Sequence, residues 1–383
     1  MSQPKQKQIE EPALNQGRQE QAKEYAKAGR YLTLGELALA GIILLVLVFS
    51  SLSIKLTGLL TLPIIPAATI YLVMLMVGYR VLSAPLSYYG GFVLPHRYGL
   101  SIQRFSGWLG DEAKSLVLSL VFGAGVIAAI YWFIVSFPLM WWLLGWGLLV
   151  LLSLILTNLA PVILVPLFLR MKPLADNELK PRLEKLAQRA GTRVRGVYTI
   201  ELSSKGTTAN AALMGLGNTK RIALSDTLLQ QYSPPEIEII TAHELGHHHH
   251  GDTPRLLVIQ SAILLVGFYL ADLTLKTSVM PLGFDGISDI AALPLLALIF
   301  ATFCLLVIPL INSYNRRLET AADDYALRLT DNPKSFIDTM TKLTEQNLAE
   351  AQPSRWVELL IHNHPSYQKR VEHARYYSMH KGE

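Results

Sequence analysis

His243, Glu244 and His247 form an HExxH arrangement inside the run TAHELGHHHHGDTP at 241–254. On an α-helix, residues four apart share a face, so both rings can offer a nitrogen to one metal ion. Glu244 projects beside them, placed to take a proton from an attacking water. No other histidine is followed by glutamate, so the run holds a single such motif despite His248, His249 and His250. Of these, His250 shares the face of His243 and His247 and is a candidate neighbour of the site. His248 and His249 point elsewhere and read as solvated or membrane-edge side chains.

A catalytic zinc takes three protein ligands and keeps a position for water, so two histidines leave it one short. A histidine at metzincin spacing would stand at position 253, which is Thr253. The other solution is a glutamate from a later helix. The segment NRRLETAADDYAL at 315–327 offers Glu319, with Asp323 four residues on and on the same face. Asp323 could then accept a hydrogen bond from a ligand histidine and fix its tautomer. The same two carboxylates read equally well as solvated charges on a helix leaving a membrane.

The elements that must position these residues follow from composition. Of 383 residues, 51% are hydrophobic and 16% charged, against about a quarter charged in ordinary soluble domains. Charge-free runs alternate with polar sequence, the pattern of a polytopic membrane protein. Spans are expected at 37–54 and 61–79, two more within 115–169 turning near 136–139, and two near 256–272 and 290–315. The layout is a flexible polar tail at 1–35, a four-helix membrane region at 36–169, and a metallopeptidase domain at 170–383 that includes the last two spans. The net charge of +5 fits basic loops on one membrane side; no basic run is interleaved with aromatics, which argues against nucleic acid. The only cysteine, Cys304, permits no intrachain disulfide.

Lysine and arginine give the orientation. Arg18, Lys23, Lys27 and Arg30 precede the first span, and Arg80, Arg97, Arg104 and Lys114 follow the second. The opposite loops carry Lys55 and Lys276 alone. Six spans with both termini inside satisfy the positive-inside rule. An integral, multi-pass protein with its site facing the cytoplasm is expected, in a bacterial plasma membrane rather than an endoplasmic reticulum one.

Within the last domain, Leu179, Leu183, Leu186 and Ala190 recur at helical spacing, VRGVYTIEL reads as a strand, and TTANAALMGLGNTKRIALSD reads as two strands joined by a turn. Ser233, the following prolines and Glu236 make a capped start for a helix that carries HExxH. His247 lies nine positions before the fifth span, and Glu319 four positions after the sixth. If those spans form a hairpin, the ligands meet at the cytoplasmic membrane boundary.

Five patterns in order resemble the type I CAAX prenyl protease family, membrane-embedded zinc endopeptidases related to the heat-shock membrane metalloproteases. Gly91-Phe92 through Ser101, with Trp108, Asp111, Lys114 and Ser115, is the first. The second is Asn210, Ala211, Gly215, Lys220, Arg221, Ile222, Leu224, Asp226, Leu228 and Leu229. His243 to His247 is the third; Arg316, Glu319, Ala322, Asp323 and Ala326 the fourth; His364, Pro365 and Arg370 the fifth. The resemblance implies membrane helices around a chamber with zinc at its cytoplasmic end, and a substrate chain added as a strand beside Asn210-Ala211. It also implies that His364 donates to the developing oxyanion and that Arg370 supports it or the substrate. Without it, His364 is a loop histidine before proline. Two features depart from the family: six spans rather than the seven of eukaryotic members, and Asp252 where the prenyl protease pattern has histidine.

The expected fold class is therefore mainly α: a polytopic α-helical membrane protein of about six transmembrane helices, carrying a gluzincin-type zinc protease domain with a small β-hairpin or sheet. The expected activity is that of a zinc metalloendopeptidase holding one Zn2+ per chain. Its expected partners are the lipid bilayer and membrane-associated or prenylated-type protein substrates. Alternatives are a quality-control protease of the heat-shock type and a metal-binding membrane chaperone without protease activity. Ionisable residues inside the spans would mark a transporter instead, and the first four uncharged runs have none.

Overall fold

The computed structural model describes residues 13–215 and 220–380. Its membrane region begins with α1 (Gln16–Phe49), a short α2 (Leu52–Thr57) and α3 (Ile64–Tyr88), which runs through a π-helical turn into α4 (Leu94–Arg97). A hairpin of α5 (Phe105–Ser136) and α6 (Trp141–Leu159) follows, the latter continuing through a second π-helical turn into α7 (Val165–Phe168). Strand β1 (Met171–Pro173), α8 (Leu179–Arg189), β2 (Gly196–Ile200), β3 (Ala211–Met214), β4 (Arg221–Ser225) and α9 (Asp226–Gln231) lead to α10 (Pro234–His250). The chain then crosses in α11 (Asp252–Ser278), returns in α12 (Leu293–Thr330), and ends in α13 (Pro333–Gln346), α14 (Arg355–Leu360) and α15 (Tyr367–His380).

Six helices among the described residues are long and apolar enough to cross a membrane, the number that hydropathy predicts. They close a ring: α1 touches α3, α3 touches α5, α5 touches α6, α6 touches α11, α11 touches α12, and α12 returns to α1. At the end away from HExxH, one apolar cluster draws on all six ring helices and on the segment before α12. Tyr71, Tyr131, Trp141, Phe268 and Phe284 are its large aromatic members.

The expected flexible tail is corrected by the structure. From Gln16 onward it is the first half of α1, started by Asn15, whose side chain accepts from the Arg18 N–H. It is ordered because it has somewhere to dock. Arg18 Nε donates to the Glu345 carbonyl, Arg30 pairs with Glu350, and Ala22 is buried beside Leu100 and Leu348. The connection after the second span is likewise largely helical, since α3, the π-helical turn and α4 run on to Arg97.

The sheet has the order β1-β2-β4-β3. β2 and β4 are parallel, while β3 and β4 form the expected antiparallel hairpin, whose tip at 216–219 lies outside the described residues. Strand β1 pairs antiparallel with β2; at three residues it is too short to show an alternation in sequence. β3 is left as an edge. On the sheet pack α8, through Leu179, Leu183 and Leu186, and α10, through Ile237, Ile239 and Leu245, in one core with Phe336 and Ile337 of α13.

Two local features bring α10 against its neighbours. The Glu236 carboxylate accepts from the Ser233 backbone N–H and hydroxyl, closing the capping box at its start. At its other end Gly251, with φ of +67°, turns the chain directly into α11. In the third quarter of α10, between His243 and His247, Gly246 lies so close to α12 that an added Cβ would sit 3.1 Å from Ala322 Cα and 3.1 Å from Tyr325 Cβ. A glycine is needed there because the two helix backbones nearly touch.

Candidate metal centre

That close crossing places the HExxH face of α10 against Glu319 of α12. His243 Nε2 and His247 Nε2 are 3.2 Å apart. Glu319 brings Oε2 to 3.3 Å from His243 Nε2 and Oε1 to 3.4 Å from His247 Nε2. His243, His247 and Glu319 are the group of metal-capable side chains that converges among the described residues.

Each ring is oriented from behind. His243 Nδ1 donates to Asp323 Oδ1 at 2.9 Å, and His247 Nδ1 donates to Asp252 Oδ2 at 2.8 Å. With both Nδ1 protons so committed, neutral rings aim two Nε2 lone pairs at one point. Two acceptors at 3.2 Å repel unless a cation lies between them. Glu319 Oε2 is buried without a hydrogen-bond partner, an orphaned acceptor that the same cation would satisfy. A tetrahedral zinc with arms of about 2.0–2.1 Å needs ligand atoms about 3.3–3.4 Å apart. The three side chains fit that requirement as they stand.

Electrostatics agree. Burial opposes charge on His243, but the Asp323 and Glu319 carboxylates outweigh it and push the ring up to about 10. His247 is raised in the same way, burial being overcome by Glu319 and Asp252. The field at the two rings favours positive charge. Glu244 differs: burial pushes its carboxyl up, and the two histidines with the Leu213 N–H counter this only in part.

His364 joins the group, its Nε2 3.2 Å from Glu319 Oε1 and its Nδ1 2.7 Å from Asn363 Oδ1. Burial holds this ring below the ordinary histidine value. The Arg370 guanidinium grips both oxygens of Asp323, with Nε at 2.8 Å from Oδ2. Behind His243 in this way, it also lines the cavity that holds His364. Asn210 and Ala211 line a cavity of about 590 Å3 that also reaches His243, Glu244 and His364. A second cavity, of about 460 Å3, lies on the far side of Glu244, lined by Leu213, His247, Asp252, Leu256 and Glu319.

Asp252 is a functional position that sequence reasoning missed, since it read only as a departure from a family pattern. The available signal was Gly251 before it, a residue suited to the left-handed turn that swings Asp252 back to His247. The other histidines leave the centre. His248 contacts Lys220, and His249 stacks on Tyr325 with ring centroids 4.6 Å apart. His250 meets Tyr325 edge-on and is not among the converging ligands.

Comparison with known proteins agrees with this geometry. The sequence model of Peptidase family M48 matches residues 173–378, and that of the CAAX prenyl protease N-terminal region, five membrane helices, matches residues 5–170. The chain is 33% identical over 288 residues to the uncharacterized metalloprotease YhfN of Bacillus subtilis, covering 74% of this chain and 68% of the relative. It is 28% identical over 312 residues to a CAAX prenyl protease 1 homolog of Oryza sativa, covering 79% and 71%. Its fold is similar to the crystal structure of S. mikatae Ste24p, with a TM-score of 0.82 at 21% identity over 96% of this chain and 92% of that one.

Proposed function

The chain belongs to peptidase family M48 and is a multi-pass membrane metallopeptidase; from that premise we propose that His243, His247 and Glu319 hold one zinc and that Glu244 is the catalytic base. The observation that carries this is the convergence of two oriented Nε2 atoms and an orphaned carboxylate oxygen at zinc-ligand separations. Zinc bound there supplies Lewis-acid polarisation of the scissile carbonyl and acidifies the attacking water.

The chain's own residues do the rest. The Asn210 carbonyl accepts from the Ser225 N–H, and in an antiparallel ladder such bonds alternate. The backbone groups of Ala211 and Leu213 therefore face the open edge, where an extended substrate can add as a strand. The Leu213 N–H reaches Glu244, so the edge runs past the base with one cavity on each side. Glu244 takes a proton from the attacking water and returns it to the leaving amine. Its raised carboxyl suits both steps, because the base must also hold the proton it removes.

His364 donates from Nε2 to the developing oxyanion. A neutral ring has one N–H, so Nδ1 must then accept, which requires Asn363 to present its amide nitrogen rather than its oxygen. Arg370 acts through Asp323, keeping that carboxylate on His243 Nδ1. The cavity beyond Glu244 opens on Pro254 and Leu256 at the start of α11, which suits a substrate held at the membrane. Membrane-associated proteins of the prenylated type, cleaved at the cytoplasmic face, are the proposed substrates.

The test uses full-length protein in vesicles. Glu244→Gln should keep one zinc per chain and lose cleavage by about 10²–10⁴-fold. A Glu244→Gln enzyme with full activity overturns the mechanism, and a wild-type chain binding several weak metals overturns the site. Peptides retained by the Glu244→Gln protein, identified by mass spectrometry, test the substrate class.

A further inference from the structure

The loop bearing His364 is preceded by α14, and this helix is inside out for a water-soluble surface. Trp356, Leu359 and Leu360 are on one face, at i, i+3 and i+4, and all three are exposed, as is Ile361 after them. Trp356 is 73% exposed and Ile361 55%. The charged member is turned inward: Glu358 is buried and paired at both oxygens with Lys369 Nζ. An apolar face outward over a buried carboxylate is the pattern expected where the outer medium is lipid.

The position of α14 agrees. It is clamped to α12, with Asn312 Nδ2 donating to the Leu360 carbonyl and Arg316 to the carbonyls of Glu358 and His362. From Leu293 to Asn312 is about 29 Å of helix at 1.5 Å per residue, against a hydrocarbon core of about 30 Å. The clamp therefore lies where α12 leaves the hydrocarbon. Below it Ile308 and Leu305, four and seven residues before Asn312 and so on the same face of α12, are exposed, continuing the apolar face of α14 into the lipid-facing surface of the ring. Trp356 sits at the level where tryptophan concentrates in membrane proteins, and exposed Arg317 and Arg355 stand beside it for anionic headgroups.

We infer that α14 is a membrane-interface seat: Trp356, Leu359, Leu360 and Ile361 rest in the bilayer boundary and hold the 361–366 loop, with His364, at headgroup level. The partner surface is the lipid bilayer itself, and the seat stands or falls independently of the catalytic assignment.

Bromine near the top of the acyl chains quenches tryptophan emission on contact. Full-length protein in phosphatidylcholine and phosphatidylglycerol vesicles, with and without such brominated lipid, is compared with Trp356→Phe. The wild-type minus variant spectrum isolates Trp356 among the six tryptophans. The expected result is loss of this difference emission in brominated vesicles and its protection from aqueous iodide. Quenching by iodide alone would show Trp356 in water and overturn the seat. Emission insensitive to both quenchers would put protein over it, a second copy or a partner, and equally overturn it. Should Trp356→Phe fold poorly, bimane attached at Leu360→Cys in a Cys304→Ser chain gives the same readout.

Discussion

The two histidines that face each other are held by different kinds of structure. His247 is oriented locally: Asp252 lies five residues on, delivered by the left-handed turn at Gly251 that starts α11. His243 is oriented from far along the chain, by Asp323 of α12, itself gripped by Arg370 of α15. The local support is half open, with Asp252 Oδ1 lacking a hydrogen bond and only 3.9 Å from Arg255, and the His247 side chain 25% exposed. The distant one is a buried ionic chain in which Asp323 is 1% exposed. One side is specified by a turn, and the other exists only after three helices have packed. The difference separates what fixes a ligand's direction from what fixes the fold around it.

Removing each carboxylate should expose that difference most strongly. Asp323→Ala and Asp252→Ala should each weaken zinc binding by about 10–100-fold, as loss of a partner behind a ligand histidine does. Only Asp323→Ala also leaves the largely buried Arg370 guanidinium unpaired, at a cost of up to about 3–5 kcal/mol in stability. Zinc competition titrations and thermal unfolding of both variants read the two quantities separately. Equal losses of stability would erase the proposed contrast. Arg370→Met added to Asp323→Ala should recover part of the stability and none of the zinc affinity.

The same asymmetry explains what the sequence reveals. The HExxH face, the capping box at Ser233–Glu236 and the six spans follow from helical spacing and hydropathy, which are local. Glu319 and Asp323 were found as candidates at long range because a membrane hairpin fixes where two helices emerge, so sequence distance translates into position. Asp252 was missed because its role depends on the handedness of one glycine turn. Asn363 was missed because a loop amide beside a histidine has no periodic signature. The docking of α1 was missed because its contacts, Arg18 onto the end of α13 and Arg30 onto the segment after it, follow no pattern within α1. The outward apolar face of α14 is legible as residue types, but only its clamp to α12 places that face beside a membrane-spanning helix.

The next largest effect should come from pushing the two supports apart. Gly246→Ala places a methyl group 3.1 Å from Ala322 Cα and 3.2 Å from the Ala322 carbonyl oxygen. Backbone cannot yield there as a flexible side chain would, so α10 must shift from α12 by a few tenths of an ångström. Such overpacking typically costs about 1–3 kcal/mol. Because Glu319 moves with α12 while both histidines move with α10, zinc should dissociate faster in Gly246→Ala than in wild type. Unchanged zinc release with lowered stability would show that the crossing sets the fold but not the ligand geometry.

A pH profile tests the group between the supports. Glu244 must be ionised to accept a proton, and burial raises its carboxyl above the ordinary range. Activity should therefore fall as pH decreases through that raised value, with an acid limb above the usual titration of glutamate. Glu244→Asp should keep an acid limb at reduced kcat, since it retains a carboxyl at a greater distance. The zinc content of both proteins, measured across the same range, separates loss of base from loss of metal. An acid limb that tracks zinc release instead would move the titration to the histidines.

The smallest effect is expected two residues beyond His247. His249 is exposed and stacks on Tyr325 of α12, so it contributes to the α10–α12 contact without facing the metal centre. Ring pairs of this kind contribute about 0.5–1.5 kcal/mol, and exposure puts this one at the lower end. His249→Ala should lower the unfolding temperature slightly while zinc affinity and kcat stay at wild-type values, and His249→Phe should restore the temperature. A histidine run is then divided by helical geometry alone: His243 and His247 converge on Glu319, while His249, in the same turn of α10, only packs. If His249→Ala changed zinc affinity as strongly as Asp252→Ala, the run would be one cooperative metal patch, and the distinction between the two supports would fail at its local end.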